Sequence, residues 1–151
     1  EIVLKEFIDA IKLVAHRPYL VLRPHPKDVI EDYVEYRDEF DLISGSGSSI
    51  ECLYAADFVV GMTGTVMMEA ALLGMPSLAI VPRAAELELL PTIQLGITPF
   101  VTTREQLRSI IVGFLQNKIE TMPADLDKII VRGALQMVVG FVKKRLEKVT
   151  D

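Results

Sequence analysis

Residues Asp57 to Pro82 read DFVVGMTGTVMMEAALLGMPSLAIVP, and within them Thr63, Gly64, Thr65 and Glu69 have the types and spacing to hold an anionic ligand. A β-branched run from Phe58 to Val60 breaks at Gly61 and Gly64, continues at helical spacing through Met and Leu, stops at Gly74-Met75-Pro76 and resumes as Leu78 to Val81. The pattern predicts strand, tight turn, helix, strand. In a parallel α/β sheet such a turn lies at the carboxyl edge, where ligands collect. Thr63-Gly64-Thr65 then sits at a helix N-terminus, whose free N–H groups and positive dipole end favour a phosphate. Glu69 lies about one turn further along the same face, so its carboxylate can return toward whatever the turn holds. Phosphate donors beside a carboxylate predict a nucleotide, with the acid on ribose hydroxyls. The alternative is purely structural: a doubly wound domain needs a small residue where a strand becomes a helix, and Thr is an ordinary N-cap. Glu69 falls among Met67, Met68, Ala70, Ala71 and Leu72, so its charge needs an edge position or a partner.

A second group of chemically able residues is Arg23-Pro24-His25-Pro26. The prolines fix their own φ and bias Arg23 and His25 toward extended backbone, so the chain is stiff where a strand from Tyr19 to Leu22 ends. Arg23 and His25 are thereby expected at the same sheet edge as Thr63 to Thr65, supplying a second anion contact; the competing reading is a polar loop that merely contains a cation and an imidazole. No second His or Cys stands at metal-ligand spacing. Ser44-Gly45-Ser46-Gly47-Ser48-Ser49 is either a phosphate nest or a flexible connection, and the connection is favoured because no Lys or Arg follows in a P-loop pattern.

The elements that must position these residues follow from periodicity. Glu1 to Arg17 predicts an amphipathic helix stopped by Pro18. Lys27 to Phe40 predicts a solvent-facing helix whose apolar edge, Val29, Tyr33, Val34 and Tyr36, packs on the sheet, with Asp28 as its cap. Asp41 to Ile43 is a short strand, Ser48 or Ser49 caps a helix over 50–56, and Cys52 packs within it. Beyond Pro82 come a helical segment from Ala84 to Leu90, either broken at Pro91 or carrying on to Leu95 and ended by Gly96, a strand at Phe100-Val101, and a helix from Arg104 to Gln116 capped by Thr102 or Thr103, with Glu105 and Gln106 near the capping-box position. A final helix over 124–148 carries a broad apolar face and a basic end. Helix and strand thus alternate, which makes an α/β domain with a parallel sheet covered on both faces.

Composition bounds the function. The 151 residues, half of them hydrophobic and a quarter charged, specify one globular domain, and the net charge of -5 argues against a nucleic-acid partner. No apolar run reaches the roughly 20 residues of a membrane span. The single Cys52 excludes an internal disulfide, and with no signal peptide in view a cytoplasmic setting is expected. The chain opens at Glu1 without a methionine and already in helical periodicity, as a piece of a longer two-domain protein would, with an α/β core over 1–118.

Val21-Leu22-Arg23-Pro24-His25-Pro26, then Ala56-Asp57-Phe58-Val59-Val60-Gly61, Thr63-Gly64-Thr65 with Glu69, and Leu73-Gly74-Met75-Pro76 together resemble the carboxyl-terminal half of B-type-fold (GT-B) glycosyltransferases. They are similar as well to the nonhydrolysing UDP-N-acetylglucosamine 2-epimerases and to a group of archaeal glycosyltransferases of unassigned substrate. The resemblance covers about Glu1 to Gln116. It implies a Rossmann-like half-domain that binds a nucleotide sugar, most often UDP-linked, as substrate and without a resident cofactor. It also implies that Gly64 and Thr65 hold the diphosphate, that Glu69 takes the ribose, and that His25 is the catalytic strand-end residue facing phosphates or sugar. The first strand, its Gly-rich loop and an amino-terminal acceptor domain would precede Glu1, and the last helix would cross to that domain or leave its face to a second copy in a homodimer. Ser44 to Ser49 departs from the family's usual base-recognition loop. A noncatalytic α/β assembly domain is the other class of reading, and it predicts a blocked cleft or a Glu69 tied into a structural salt bridge. A receiver-like domain would need an acidic cluster at the strand ends, which here carry Arg23, Ser44, Gly61 and Pro82 instead.

Overall fold

The computed structural model describes residues 2–89 and 91–116, together with 133, 136, 137 and 139. Helix α1 spans Ile2–Ile11 and buries Ile8, Ala10 and Ile11. It ends earlier than the periodicity predicts. Lys12 pairs with Glu39, and Arg17 Nη1 reaches Asp41 Oδ2 at 2.7 Å, so the segment after Ile11 is drawn across to the chain that leads into the second strand.

Strand β1, Val21–Leu22, pairs in parallel with β2, Leu42–Ile43, in the register Val21 to Leu42 and Leu22 to Ile43. Asp41 extends this pairing with its side chain, whose Oδ2 accepts the Leu20 N–H at 2.7 Å. Between the two strands Ile30–Glu39 forms a 3-10 helix with no buried residue, which corrects the expected helix with a sheet-packed apolar edge. Val29, Ile30 and Val34 stay exposed. The sequence supplies a reason: Glu31 with Glu35 and Glu35 with Glu39 are like charges four apart, a spacing that an α-helix would bring together. Asp28 is likewise not a helix cap, because its carboxylate is taken by the His25 N–H and the Tyr33 hydroxyl.

The remaining elements are α2 (Ser49–Tyr54), β3 (Val59–Gly61), α3 (Thr65–Leu72), β4 (Ser77–Ile80), a 3-10 turn (Ala84–Leu89), α4 (Pro91–Gln94), β5 (Phe100–Val101) and α5 (Arg104–Leu115). Strands β3, β4 and β5 form a parallel sheet in that order, with Val60 opposite Leu78 and Ile80 opposite Val101. Both α3 and α4 end in a left-handed glycine. Gly74 and Gly96 each have φ 68°, and the following Met75 and Ile97 N–H groups close onto the Ala70 and Thr92 carbonyls at 2.9 and 2.8 Å. Thr103 caps α5 in a complete capping box with Gln106.

Strand alternation divides the core between the two faces of β4. Leu78 and Ile80 pack with Ala10 and Ile11 of α1, Leu20, Val101, and Leu107 and Ile111 of α5. Ala79 and Val81 pack on the other face with Met67 of α3 and Ile93 of α4. The protein is thus a mixed α/β fold with parallel strands and helices on both faces of β4, consistent with a Rossmann-like arrangement. It differs from the expected single sheet in one respect: β1–β2 and β3–β4–β5 are separate, and β1 and β3 each keep one unpaired edge among the described residues.

No described helix is long and apolar enough to cross a membrane. The helix expected over 124–148, with the homodimer face assigned to it, lies outside the described residues except at the four positions given above, which include a helical hydrogen bond from Met137 N–H to the Gly133 carbonyl at 3.0 Å.

Candidate functional site

The residues singled out in the sequence emerge from the carboxyl ends of β1, β2 and β3. After β1 the chain folds into a compact turn. The His25 N–H donates to Asp28 Oδ2 at 3.1 Å and the Asp28 N–H returns to the His25 carbonyl at 2.8 Å. The Tyr33 hydroxyl donates to the same Asp28 oxygen at 2.5 Å. This bond raises the Tyr33 phenol to a pKa of about 12 and lowers the Asp28 carboxyl. His25 Nδ1 accepts the Lys27 N–H at 3.2 Å, which leaves Nε2 to carry the proton of the neutral ring. In this state His25 is a hydrogen-bond donor through Nε2, suited to an anionic oxygen, while its basic lone pair is already engaged.

Arg23 is the most heavily bonded of the candidate residues. Its Nη1 donates to the Ser44 carbonyl and the Ser44 hydroxyl, each at 3.0 Å, and to the Ser46 carbonyl, and its Nη2 donates to the Gly47 carbonyl at 2.6 Å. A guanidinium presents its donors in a fixed planar fork, so these bonds define the shape of the loop they hold. Arg23 therefore organises the Gly/Ser connection after β2, and both of its terminal nitrogens are committed to that connection.

The loop delivers Ser49, the first residue of α2, to Glu69 on α3: Ser49 Oγ donates to Glu69 Oε2 at 3.0 Å. This is the partner that a charge in so apolar a helix needs, and it is a neutral one. None of the ion pairs among the described residues includes Glu69. The sequence places Ser49 at the end of the Gly/Ser run and offers Ser48 or Ser49 as the cap, not as a partner of Glu69; Ser48 is the N-cap residue and makes no side-chain cap bond. No local signal names the Ser49–Glu69 pairing, because the contact joins the loop after β2 to the helix after β3, and these strands lie in separate sheets.

Thr63, Gly64 and Thr65 form the turn from β3 into α3. Gly64 is the N-cap with extended backbone, φ 160° and ψ 167°, and a Cβ built on it would meet nothing within 4 Å. Gly61 is a different case. A Cβ there would lie 2.7 Å from the Met67 sulfur, so any larger residue at position 61 would force the Met67 side chain of α3 to shift. Neither the Thr63 nor the Thr65 hydroxyl has a protein partner among the described residues, and no hydrogen bond joins His25 to this turn or to Glu69.

The structure thus joins Arg23 to the loop and the loop's far end to Glu69, leaves the Thr63–Thr65 turn open, and keeps His25 in a separate local turn. Two concavities, of about 260 and 690 Å³, lie elsewhere: one between the end of α1 and Glu39, the other between Ile30 and Ile43. Among the described residues no group of His, Cys, Asp and Glu could hold a metal ion. Comparison of the chain with protein-family models, curated proteins and solved structures finds no match.

Proposed function

We propose that this chain is the nucleotide-sugar-binding half of a B-type-fold glycosyltransferase, with the diphosphate at the N-terminus of α3 and the ribose at Glu69. The observation that carries this reading is the pairing of an unfilled glycine turn at a helix N-terminus with a carboxylate, one turn away, held by a neutral hydroxyl. The Met67 N–H already donates to the Gly64 carbonyl at 3.2 Å, which leaves the Thr65 and Val66 amides at the start of α3 as donors, and pre-aimed donors of this kind stabilise a departing nucleoside diphosphate without reorganisation. His25 adds a donor through Nε2, and Arg23 acts on the ligand indirectly through the loop it shapes. A nonhydrolysing UDP-sugar 2-epimerase half uses the same donor contacts and is the nearest variant. Strand order lends further support. A doubly wound sheet in the order 3-2-1-4-5-6 that lacked its first strand would leave a parallel pair and a parallel triplet, as here. That strand and an acceptor domain preceding Glu1 belong to the same reading, as do a cytoplasmic setting, a nucleotide sugar as substrate and no resident cofactor.

The noncatalytic assembly reading predicts a blocked cleft or a Glu69 tied into a structural salt bridge, and on the second count the only side-chain partner of Glu69 among the described residues is the neutral Ser49. The deciding experiment is a calorimetric and NMR titration of the chain with UDP, CDP, GDP and their sugars, repeated on Glu69→Ala. Saturable binding of one diphosphate that Glu69→Ala removes, with the amide spectrum otherwise retained, supports the donor half and names its base. Binding by neither this chain nor its full-length parent refutes it.

A further inference from the structure

Resting on the nucleotide reading above, we infer that Ser49 is a positioning residue that fixes the Glu69 carboxylate for the vicinal hydroxyls of a ribose. Glu69 is half-buried beside the buried Met67, Ala70 and Ala71, and its only side-chain bond among the described residues is the one from Ser49 Oγ to Oε2 at 3.0 Å. A long carboxylate side chain loses rotamer freedom when it binds, and a bond already made in the free protein removes part of that cost. The choice of a hydroxyl matters chemically. An Arg or Lys in its place would neutralise the carboxylate and compete for both oxygens, whereas Ser supplies one donor, occupies Oε2 and leaves Oε1 as an acceptor. A ribose presents two adjacent O–H donors, which is the complementary set for a charged carboxylate with an unoccupied oxygen.

Ser49 can do this only if its own position is fixed, and two features fix it. Arg23 binds the connection at Ser44, Ser46 and Gly47, immediately before α2, and Leu53 anchors α2 in the interior at 3% exposure. The order of the β1 end is therefore passed through the connection to Ser49, and through Ser49 to Glu69 on a different helix.

The test is a double-mutant cycle on Ser49→Ala and Glu69→Ala. It is read by calorimetry with whichever of UDP, CDP or GDP the wild-type chain binds, and with the 2′,3′-dideoxy form of that nucleotide. Ser49→Ala is expected to weaken the ribonucleotide about three- to tenfold, the range for loss of one hydrogen bond. Ser49→Thr, which keeps the hydroxyl, is expected to restore binding. The dideoxynucleotide should not distinguish Ser49→Ala from wild type, and Ser49→Ala should have no further effect in a Glu69→Ala background. Equal ribonucleotide affinity of wild type and Ser49→Ala, or additive effects in the cycle, overturns the positioning role and leaves the donor reading standing. Failure of the wild-type chain and its full-length parent to bind any of the three nucleotides removes both.

Discussion

Gly64→Ala separates a glycine kept for the fold from one kept for a ligand. The substitution is sterically free, since the new Cβ meets nothing within 4 Å and φ of 160° is extended backbone. Two terms then set its effect on stability. Ala reduces the entropy of the unfolded chain, a gain of about 0.4–1 kcal/mol. Against this, Ala is a poorer N-cap than Gly by roughly 0.5–1 kcal/mol. They nearly cancel, so the melting temperature should move by less than about 2 °C for a chain of this size. Binding has no such cancellation. A methyl group at the N-cap stands where a phosphate must approach the α3 amides, and loss of one charge-assisted hydrogen bond costs about 1.5–3 kcal/mol, or roughly ten- to a hundredfold in affinity. Differential scanning fluorimetry and calorimetry with the nucleoside diphosphate measure the two quantities on one sample. An Ala variant that melts normally and binds like wild type would refute the placement of the diphosphate at this turn, and one that unfolds would refute the open geometry.

Other outcomes follow from particular contacts. Gly61→Ala should lower the denaturant midpoint by an amount equivalent to about 1–3 kcal/mol, because the buried Met67 has to move away from the new methyl; an unchanged midpoint would show that Met67 repacks without strain. Thr103→Ala removes the acceptor for the Gln106 N–H and should cost about 0.5–2 kcal/mol by thermal melting, while Thr103→Ser should retain most of it. The Leu20 N–H, aided by the Arg17 guanidinium, holds the Asp41 carboxyl below its ordinary value of 3.8. A depressed folded-state pKa means that this contribution is present above the unfolded value and is lost as pH falls through the folded one. Urea midpoints of wild type and Asp41→Asn should therefore differ at neutral pH and converge under acid, and a constant difference would show that Asp41 contributes nothing by ionisation.

Local signals made much of this fold legible. Gly74 and Gly96 mark helix ends because only an achiral residue takes the left-handed turn cheaply, and Thr103 with Gln106 is a pattern that can be read within four residues. The strand-helix-strand rhythm from Phe58 to Val81 follows from hydrophobic spacing alone. What escaped were features set by partners distant in sequence. Arg17 reaches Asp41, and Lys12 reaches Glu39, across more than twenty residues, which shortens α1 in a way its own periodicity does not foretell. The acidic segment after Ile30 has apolar residues at plausible spacing, but its charges also fall at helical spacing, and they count against the helix. Within the candidate site, Glu69 was visible as a charge needing a partner, yet nothing local names Ser49, twenty residues earlier, as that partner. Arg23 was legible as a cation at a strand end. Its commitment to loop carbonyls was not, because main-chain acceptors leave no trace in residue identity.

That same property bears on how such a loop can evolve. Arg23 holds the Ser44, Ser46 and Gly47 carbonyls, and only the Ser44 hydroxyl among its acceptors belongs to a side chain. The clamp is therefore blind to the side chain at position 46, and at position 47 it asks only for a residue that tolerates the left-handed φ of 84°. Substitutions along the loop can change its surface chemistry while its path, and the place where it delivers Ser49, stay the same. One arginine thus frees the loop to diversify under selection without dismantling the frame that supports it.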